Sequence, residues 1–341
     1  MTLRPWSNAP RLDPAAVRRT LRTANLRARH GLSQNFLTDV AVLEAILAEA
    51  TPTPGRRVLE VGPGLGILTG ALLEAGAAVT AVELDAGLSA LLRRTFAEPL
   101  ARAGREPGSA GSLTLVEGDV LDQDFAAIIV PPFDVVANLP YHITSPILHR
   151  LLDLPRPPDR LVLMVQREVA ERIAAPPGAM SYLSVFVQYH ASVRVALHVP
   201  RTAFEPEPKV DSAVLVLEPF APDMPGRLGR DREDSLWRLV QVGFRERRKM
   251  LHNVLSRQLP LEATRVAAAL AAAGIAGDRR PQTLSVAEWL RLLAVLGPLP
   301  ADHRGQSLRP AGAGVSAKGA ASARGQQRDA EPRAAAADSA D

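Results

Sequence analysis

Asn138-Leu139-Pro140-Tyr141 follows the apolar run Asp134-Val135-Val136-Ala137 and precedes a helix opened by Thr144-Ser145-Pro146. These residue types suit one kind of chemistry. An aromatic amine is a poor nucleophile because its lone pair is delocalised into the ring. The Asn138 side-chain oxygen and the Leu139 backbone carbonyl can accept both amine hydrogens, which aims the nitrogen and favours its pyramidal form. Tyr141 offers an aromatic face on which a base taken out of its stack can rest. Asn-x-Pro is also ordinary turn chemistry after a strand, so the reading depends on what lies upstream.

Upstream, Glu60-Val61-Gly62-Pro63-Gly64-Leu65-Gly66 stands between a strand and a helix. Glycines there let the backbone approach a ligand, and the helix N-terminus offers unpaired amides. A dinucleotide loop would read G-x-G-x-x-G; here glycines alternate, and a carboxylate precedes the first by two positions. That form suits S-adenosylmethionine. Glu83 ends the next strand, where a carboxylate can accept from both ribose hydroxyls, and Asp119 ends the third, within reach of an adenine amino group. Each acid alone could be a solvated loop carboxylate. Three in order at successive strand ends point to one cofactor site, with Gly62, Gly64, Glu83, Asp119 and Asn138 as its residues. A dehydrogenase is the alternative from another enzyme class, and nothing downstream resembles a hydride-transfer site.

The elements that must position these residues alternate. Strands are expected at 57–61, 78–83, 113–117, 135–137 and 160–165, with helices at 40–47, 68–75, 86–100, 146–152 and 168–174 between them. Asp39 is a candidate cap for the first of those helices. Further apolar runs cover 183–189 and 213–217. The alternation predicts an α/β fold, a doubly wound Rossmann-like sheet with ligands outside the carboxyl ends of its strands. Beyond Pro219 the pattern changes to helices at 233–245, 247–258, 262–273 and 285–296, a small C-terminal all-helical domain. The expected organisation is a loosely ordered N-terminal extension at 1–29, a methyltransferase domain at 30–220, the helical domain at 221–298 and a disordered tail at 299–341. The tail is Ala, Gly, Arg, Ser and Asp with almost no large apolar residue, which cannot offset the entropy of ordering.

Composition narrows the chemistry further. The 341 residues include no cysteine, which removes disulfides, thiolate zinc sites and cysteine nucleophiles, and no metal site is expected. No apolar run reaches the roughly 18 to 20 residues of a membrane-spanning helix. A cytoplasmic location is therefore the expectation, and the protein is expected to be a monomer. The net charge is +4, and all but three of the 40 basic residues are arginine, Lys209, Lys249 and Lys318 being the exceptions. Such usage also follows from a G+C-rich genome, so only clusters carry weight. Arg245, Arg247, Arg248 and Lys249 form one, read here as a helical stretch with Arg238 before it and Arg257 after, suited to the phosphates of structured RNA. Glu233, Asp234 and Glu246 leave open an ordinary solvated helix face.

The chain resembles the small-subunit ribosomal RNA adenine dimethyltransferases, the KsgA/RsmA family, relatives of the erythromycin-resistance methylases. The resemblance is carried by Ser33-Gln34-Asn35-Phe36-Leu37, the 60–66 loop, Val82-Glu83-Leu84-Asp85, Gly118-Asp119, Asn138-Leu139-Pro140-Tyr141-His142-Ile143-Thr144-Ser145-Pro146 and Met164-Val165-Gln166-Arg167-Glu168-Val169. It continues through Ala203-Phe204-Glu205-Pro206-Glu207-Pro208-Lys209-Val210-Asp211-Ser212-Ala213-Val214 and Phe244-Arg245-Glu246-Arg247-Arg248-Lys249-Met250-Leu251. It implies dimethylation of two adjacent adenosines in the loop of the 3′-terminal hairpin of 16S rRNA, within assembling small ribosomal subunits. The family's cofactor contacts fall on Asn35, Leu37, Gly62, Glu83, Asp119 and Asn138, which adds Asn35 and Leu37 to the residues found above.

Two departures from the family pattern stand out. The stretch Arg29-His30-Gly31-Leu32-Ser33-Gln34 is longer than the usual lead into Asn-Phe-Leu, and Glu205 and Glu207 stand where prolines are common. Two acids there would weaken phosphate contact near Lys209. The alternatives are a 23S rRNA adenine methylase of the macrolide-resistance type, sharing the catalytic half, and a subunit-assembly checkpoint factor that needs little turnover.

Overall fold

The computed structural model describes residues 12–299 apart from 30–33, 222 and 225–226. Helix α1 (Pro14–Thr23) leads to β1 (Phe36–Leu37) and α2 (Val40–Ala50), then to β2 (Arg57–Val61), α3 (Ile67–Glu74) and β3 (Ala78–Glu83). Next come α4 (Ala86–Thr95), α5 (Ala97–Arg105), β4 (Leu113–Glu117), α6 (Phe125–Ile128), β5 (Asp134–Asn138) and α7 (Thr144–Leu152). The sheet region closes with β6 (Arg160–Gln166), α8 (Arg167–Ile173), α9 (Tyr182–His190), β7 (Ala191–Val199), β8 (Phe204–Glu205) and β9 (Ser212–Pro219). Helices α10 (Arg230–Phe244), α11 (Leu251–Gln258), α12 (Ala263–Ala272) and α13 (Val286–Leu296) follow.

The main sheet runs in the order β4-β3-β2-β5-β6-β9-β7, and its first five strands are parallel. Strand β9 lies antiparallel between β6 and β7. The order reverses between β2 and β5, so a crevice opens at their carboxyl ends, the place where doubly wound sheets bind ligands. The predicted α/β architecture is the one found. Alternate residues of each strand enter opposite cores, as a period of two requires. Leu59, Val61, Val135, Ala137, Leu161 and Leu163 face one core, and Val58, Val136, Val162 and Met164 face the other. Both faces are covered, which is why these strands read as continuous apolar runs.

The first of those cores does not end with the sheet. It continues through Trp237, Leu251, Leu270 and Trp289 of the C-terminal helices. Trp237 on α10 meets Phe186 and Tyr189 of α9 at ring-centroid distances of 5.0 and 5.1 Å. The boundary near Pro219 is thus a change of secondary structure within one apolar core.

The N-terminal region corrects one expectation. Residues 14–23 are a helix, whereas the sequence reading expects loose chain from 1 to 29. Pro14 occupies the first helical turn, the Asp13 carboxylate accepts the Ala16 amide at 2.7 Å, and Val17 and Leu21, one turn apart, are buried. They pack on Phe36, Leu65 and Leu88. Residues 1–11 lie outside the described residues, as does the expected disordered tail of 299–341 except for Leu299, which is buried in the first core. No helix among the described residues is long and apolar enough to cross a membrane.

Candidate active site

The loop after β2 is held from below by two acids. Glu60 is buried on β2, where Thr69 Oγ1 donates to it at 2.7 Å; burial and the neighbouring Glu83 charge push its carboxyl up to about 8. Glu83, at the end of β3, is also buried. Its Oε2 accepts the Gly64 amide at 3.1 Å and its Oε1 accepts the Asp85 amide at 2.8 Å. Burial raises the Glu83 carboxyl, and these backbone amides oppose the rise. The loop must run close to aromatic walls. Gly66 has φ +82°, and a Cβ there would stand 2.4 Å from the Phe96 ring, while one on Gly64 would stand 3.1 Å from Phe36.

Asp119 follows β4 by two residues, and its Oδ1 accepts the Leu121 amide at 2.8 Å. That leaves Oδ2 for a donor in the cleft. Asn138 is the last residue of β5, beside the switch between β5 and β2. Its Nδ2 donates to the Asn35 carbonyl at 3.2 Å, which leaves Oδ1 as the acceptor of that side chain. Asn35 is brought there by a two-stranded ribbon in which Phe36 pairs with Glu205 and Leu37 with Phe204. Leu139 is anchored by its amide, which donates to the Met164 carbonyl at 3.0 Å, and its side chain is buried. The Pro140 ring packs against Gly62, 3.5 Å from where a Cβ would stand. The Tyr141 hydroxyl lies 2.8 Å from Ser212 Oγ on β9, so the half-buried ring is fixed at both ends, and burial raises its pKa.

All ten residues expected to bind cofactor or do chemistry line one cleft: Asn35, Leu37, Gly62, Gly64, Glu83, Asp119, Asn138, Leu139, Pro140 and Tyr141. Sequence reasoning passed over its apolar walls. Phe36, Leu84 and Leu88 line the same cleft, and Leu84 is 50% exposed. A large apolar side chain directly after the strand-end acid Glu83 was the available signal.

The basic cluster is elsewhere and is not helical. Arg245, Arg247, Arg248 and Lys249 occupy the turn between α10 and α11, and α11 begins at Leu251 rather than at 247. The turn is closed by the Lys249 amide donating to the Glu246 carbonyl at 2.8 Å. The Glu246 carboxylate, the acid inside the cluster, is taken by Arg257 at 2.9 Å, and Arg245 reaches Gln258 at 2.8 Å. Arg247, Arg248 and Lys249 are exposed and form no salt bridge among the described residues. Arg238, expected beside them, has Nε and Nη1 buried, so it does not extend the exposed patch.

The departures at 205 and 207 are neutralised within the fold. Glu205 pairs with Arg18 of α1 at 2.8 Å and Glu207 with Arg201 at 2.8 Å, while Lys209 stays exposed. Residues 30–33, where the sequence departs before Gln34, lie outside the described residues.

Comparison with known proteins agrees with this geometry. The chain is 42% identical over 279 residues to the ribosomal RNA small subunit methyltransferase A of Geobacter sulfurreducens, covering 80% of this chain and 96% of that relative. It is 43% identical over 289 residues to the protein of the same description from Anaeromyxobacter sp., covering 80% and 95%. Among solved structures, the 23S rRNA methyltransferase ErmE is 30% identical with a TM-score of 0.59, covering 77% of this chain and 99% of that one. A dimethyladenosine transferase from Plasmodium falciparum is 26% identical with a TM-score of 0.60, covering 76% and 96%. The sequence model described as ribosomal RNA adenine dimethylase matches residues 25–296. With the cofactor acids and the Asn138 segment sharing one cleft inside that span, the chain belongs to the ribosomal RNA adenine dimethylase family of S-adenosylmethionine-dependent methyltransferases.

Proposed function

We propose that this protein dimethylates the exocyclic amines of two adjacent adenosines in the loop of the 3′-terminal hairpin of 16S rRNA, acting as a cytoplasmic monomer on the assembling small ribosomal subunit. The observation that carries the reading is the Asn138 amide held against Asn35 at the β2/β5 switch, in the cleft that Glu83 and Asp119 also line.

The residues of the cleft suit S-adenosylmethionine. Gly62 and Gly64 let the loop pass close to a ligand, Glu83 stands where ribose hydroxyls can donate, and Asp119 stands where a purine amino group can donate. When bound, that cofactor supplies an electrophilic methyl group on a sulfonium. Asn138 Oδ1 and the Leu139 carbonyl accept the two hydrogens of the target amine and hold its lone pair in line. Tyr141, tied to Ser212, supports the face of the extruded base. No general base is required, because the amine becomes acidic as it is alkylated and releases its proton to water.

Arg247, Arg248 and Lys249 supply the contact with RNA outside the cleft. They are cations on an exposed turn, without acidic partners among the described residues, able to meet phosphates that set the register of the hairpin. The identity to small-subunit methyltransferases, 42 and 43%, against 30% to a 23S rRNA methyltransferase, supports the small-subunit target. The test is transfer of labelled methyl groups from S-adenosylmethionine to subunits lacking the modification. Label is expected in small subunits and not in large ones. Label in large-subunit RNA alone would favour the macrolide-resistance type of activity.

A further inference from the structure

Asp119 sits on a turn whose carbonyls are gripped by a side chain from another element. The turn runs Gly118-Asp119-Val120-Leu121-Asp122-Gln123. From α7, Arg150 Nη1 donates to the Val120 carbonyl at 3.2 Å and to the Leu121 carbonyl, and Nη2 donates to the Gln123 carbonyl at 2.5 Å. The same guanidinium lies 4.8 Å above the centroid of the Phe125 ring. Three carbonyls, taken together with an aromatic face, use the planar fork of an arginine in a way that the single ammonium of a lysine cannot reproduce. Arg150 forms no salt bridge among the described residues, so its donors serve backbone shape.

The grip has a direct bearing on the Asp119 carboxylate. Asp119 Oδ1 is engaged by the Leu121 amide, and the Leu121 carbonyl is one of those Arg150 holds, so both sides of the same residue are fixed. The Asp119 carbonyl is itself bonded by the Gln123 side chain at 3.0 Å. Helix α7, which carries Arg150, is opened by the methyl-acceptor segment: Thr144 Oγ1 donates to the Tyr141 carbonyl at 3.1 Å. One helix therefore ties the Asp119 turn to the strand-end that carries Asn138.

We propose that Arg150 is a positioning residue, which fixes the Asp119 carboxylate for the purine amino group of the bound cofactor and thereby sets the base selectivity of the cleft. The proposal rests on the assignment of Asp119 made above, and the test separates the two. Full-length protein is titrated calorimetrically with S-adenosylhomocysteine and with its analogue lacking the purine 6-amino group. The unaltered protein should prefer the amino-bearing ligand about tenfold or more, the effect of a hydrogen bond to a charged group. Asp119→Ala should bring that ratio to about one; if the ratio survives, the assignment of Asp119 itself is wrong. With Asp119→Ala behaving as expected, Arg150→Ala should lower the ratio to within about threefold while leaving affinity for the 6-deamino ligand nearly unchanged. Arg150→Lys, which keeps charge and bulk, should give an intermediate ratio and serves if the alanine variant does not fold. A purely structural role would weaken both ligands by one factor and leave the ratio intact in both Arg150 variants, which would overturn the proposal.

Discussion

The Asn138 side-chain amide donates to the Asn35 carbonyl at 3.2 Å, joining the end of β5 to the segment just ahead of β1, 103 residues earlier. This bond fixes the orientation of the amide and so the direction in which its acceptor, Oδ1, points. Asn138→Asp replaces the donor with a carboxylate oxygen facing a carbonyl, so methyl transfer should fall by about two to three orders of magnitude, the scale of losing an aligned polar group at a reacting centre. Single-turnover kinetics with saturating RNA would show it as a fall in the rate constant of methyl transfer. Asn138→Ala should abolish transfer yet leave subunit binding intact. If assembly of small subunits also persists with that variant, the binding role carries the biology.

Glu83 is expected to hold the ribose. Glu83→Ala removes two acceptors and also releases the Gly64 and Asp85 amides, so cofactor affinity should weaken by about 2 to 4 kcal/mol. Calorimetry measures this directly, and an unchanged affinity refutes the role.

Replacing Arg247, Arg248 and Lys249 together with alanine should weaken binding to small-subunit RNA and leave cofactor affinity as it was. The slope of log affinity against log salt should shrink by about 0.7 to 0.9 for each phosphate that the variant no longer neutralises. Equal slopes for the two proteins would place the RNA elsewhere.

Acid stability reports on His149, which is buried against the Phe186 ring at a centroid distance of 3.9 Å. Burial pulls its pKa down to about 4. Above the ordinary histidine value both folded and unfolded chains hold it neutral. As pH falls from about 6.5 to 4 the unfolded chain takes up the proton and the folded one does not, so stability declines by on the order of 3 kcal/mol. Denaturant melts of His149→Phe across that window should show a flatter profile; an identical slope would remove His149 as the cause.

The strands and cofactor acids were legible because each rests on local pattern: an apolar run, then an acid or a glycine loop, repeated along the chain. What lay beyond local pattern was hidden. Strand β7 carries Ser192, Arg194 and His198 among its residues and sits at the sheet edge, so it lacks the apolar run that marks β2 or β3. The run at 183–189 proved to be helix α9, buried on nearly every side, where periodicity cannot separate helix from strand. The single helix expected at 86–100 is broken at Phe96, with Pro99 in the first turn of α5. Pairing of β1 with β8 spans more than 160 residues and involves two residues a side, so no window of sequence reveals it. The same is true of Arg18 meeting Glu205, which turns an unpromising acid into an anchor for α1.

Methylation of small-subunit adenosines by the Asn138 cleft is tested most directly by primer extension on small-subunit RNA, taken from unmodified subunits incubated with the protein and S-adenosylmethionine. The unaltered protein should give stops at two adjacent adenosines in the 3′-terminal hairpin loop, and Asn138→Ala should give none. Stops at any other site, or methylation that persists with Asn138→Ala, would contradict that role for the cleft.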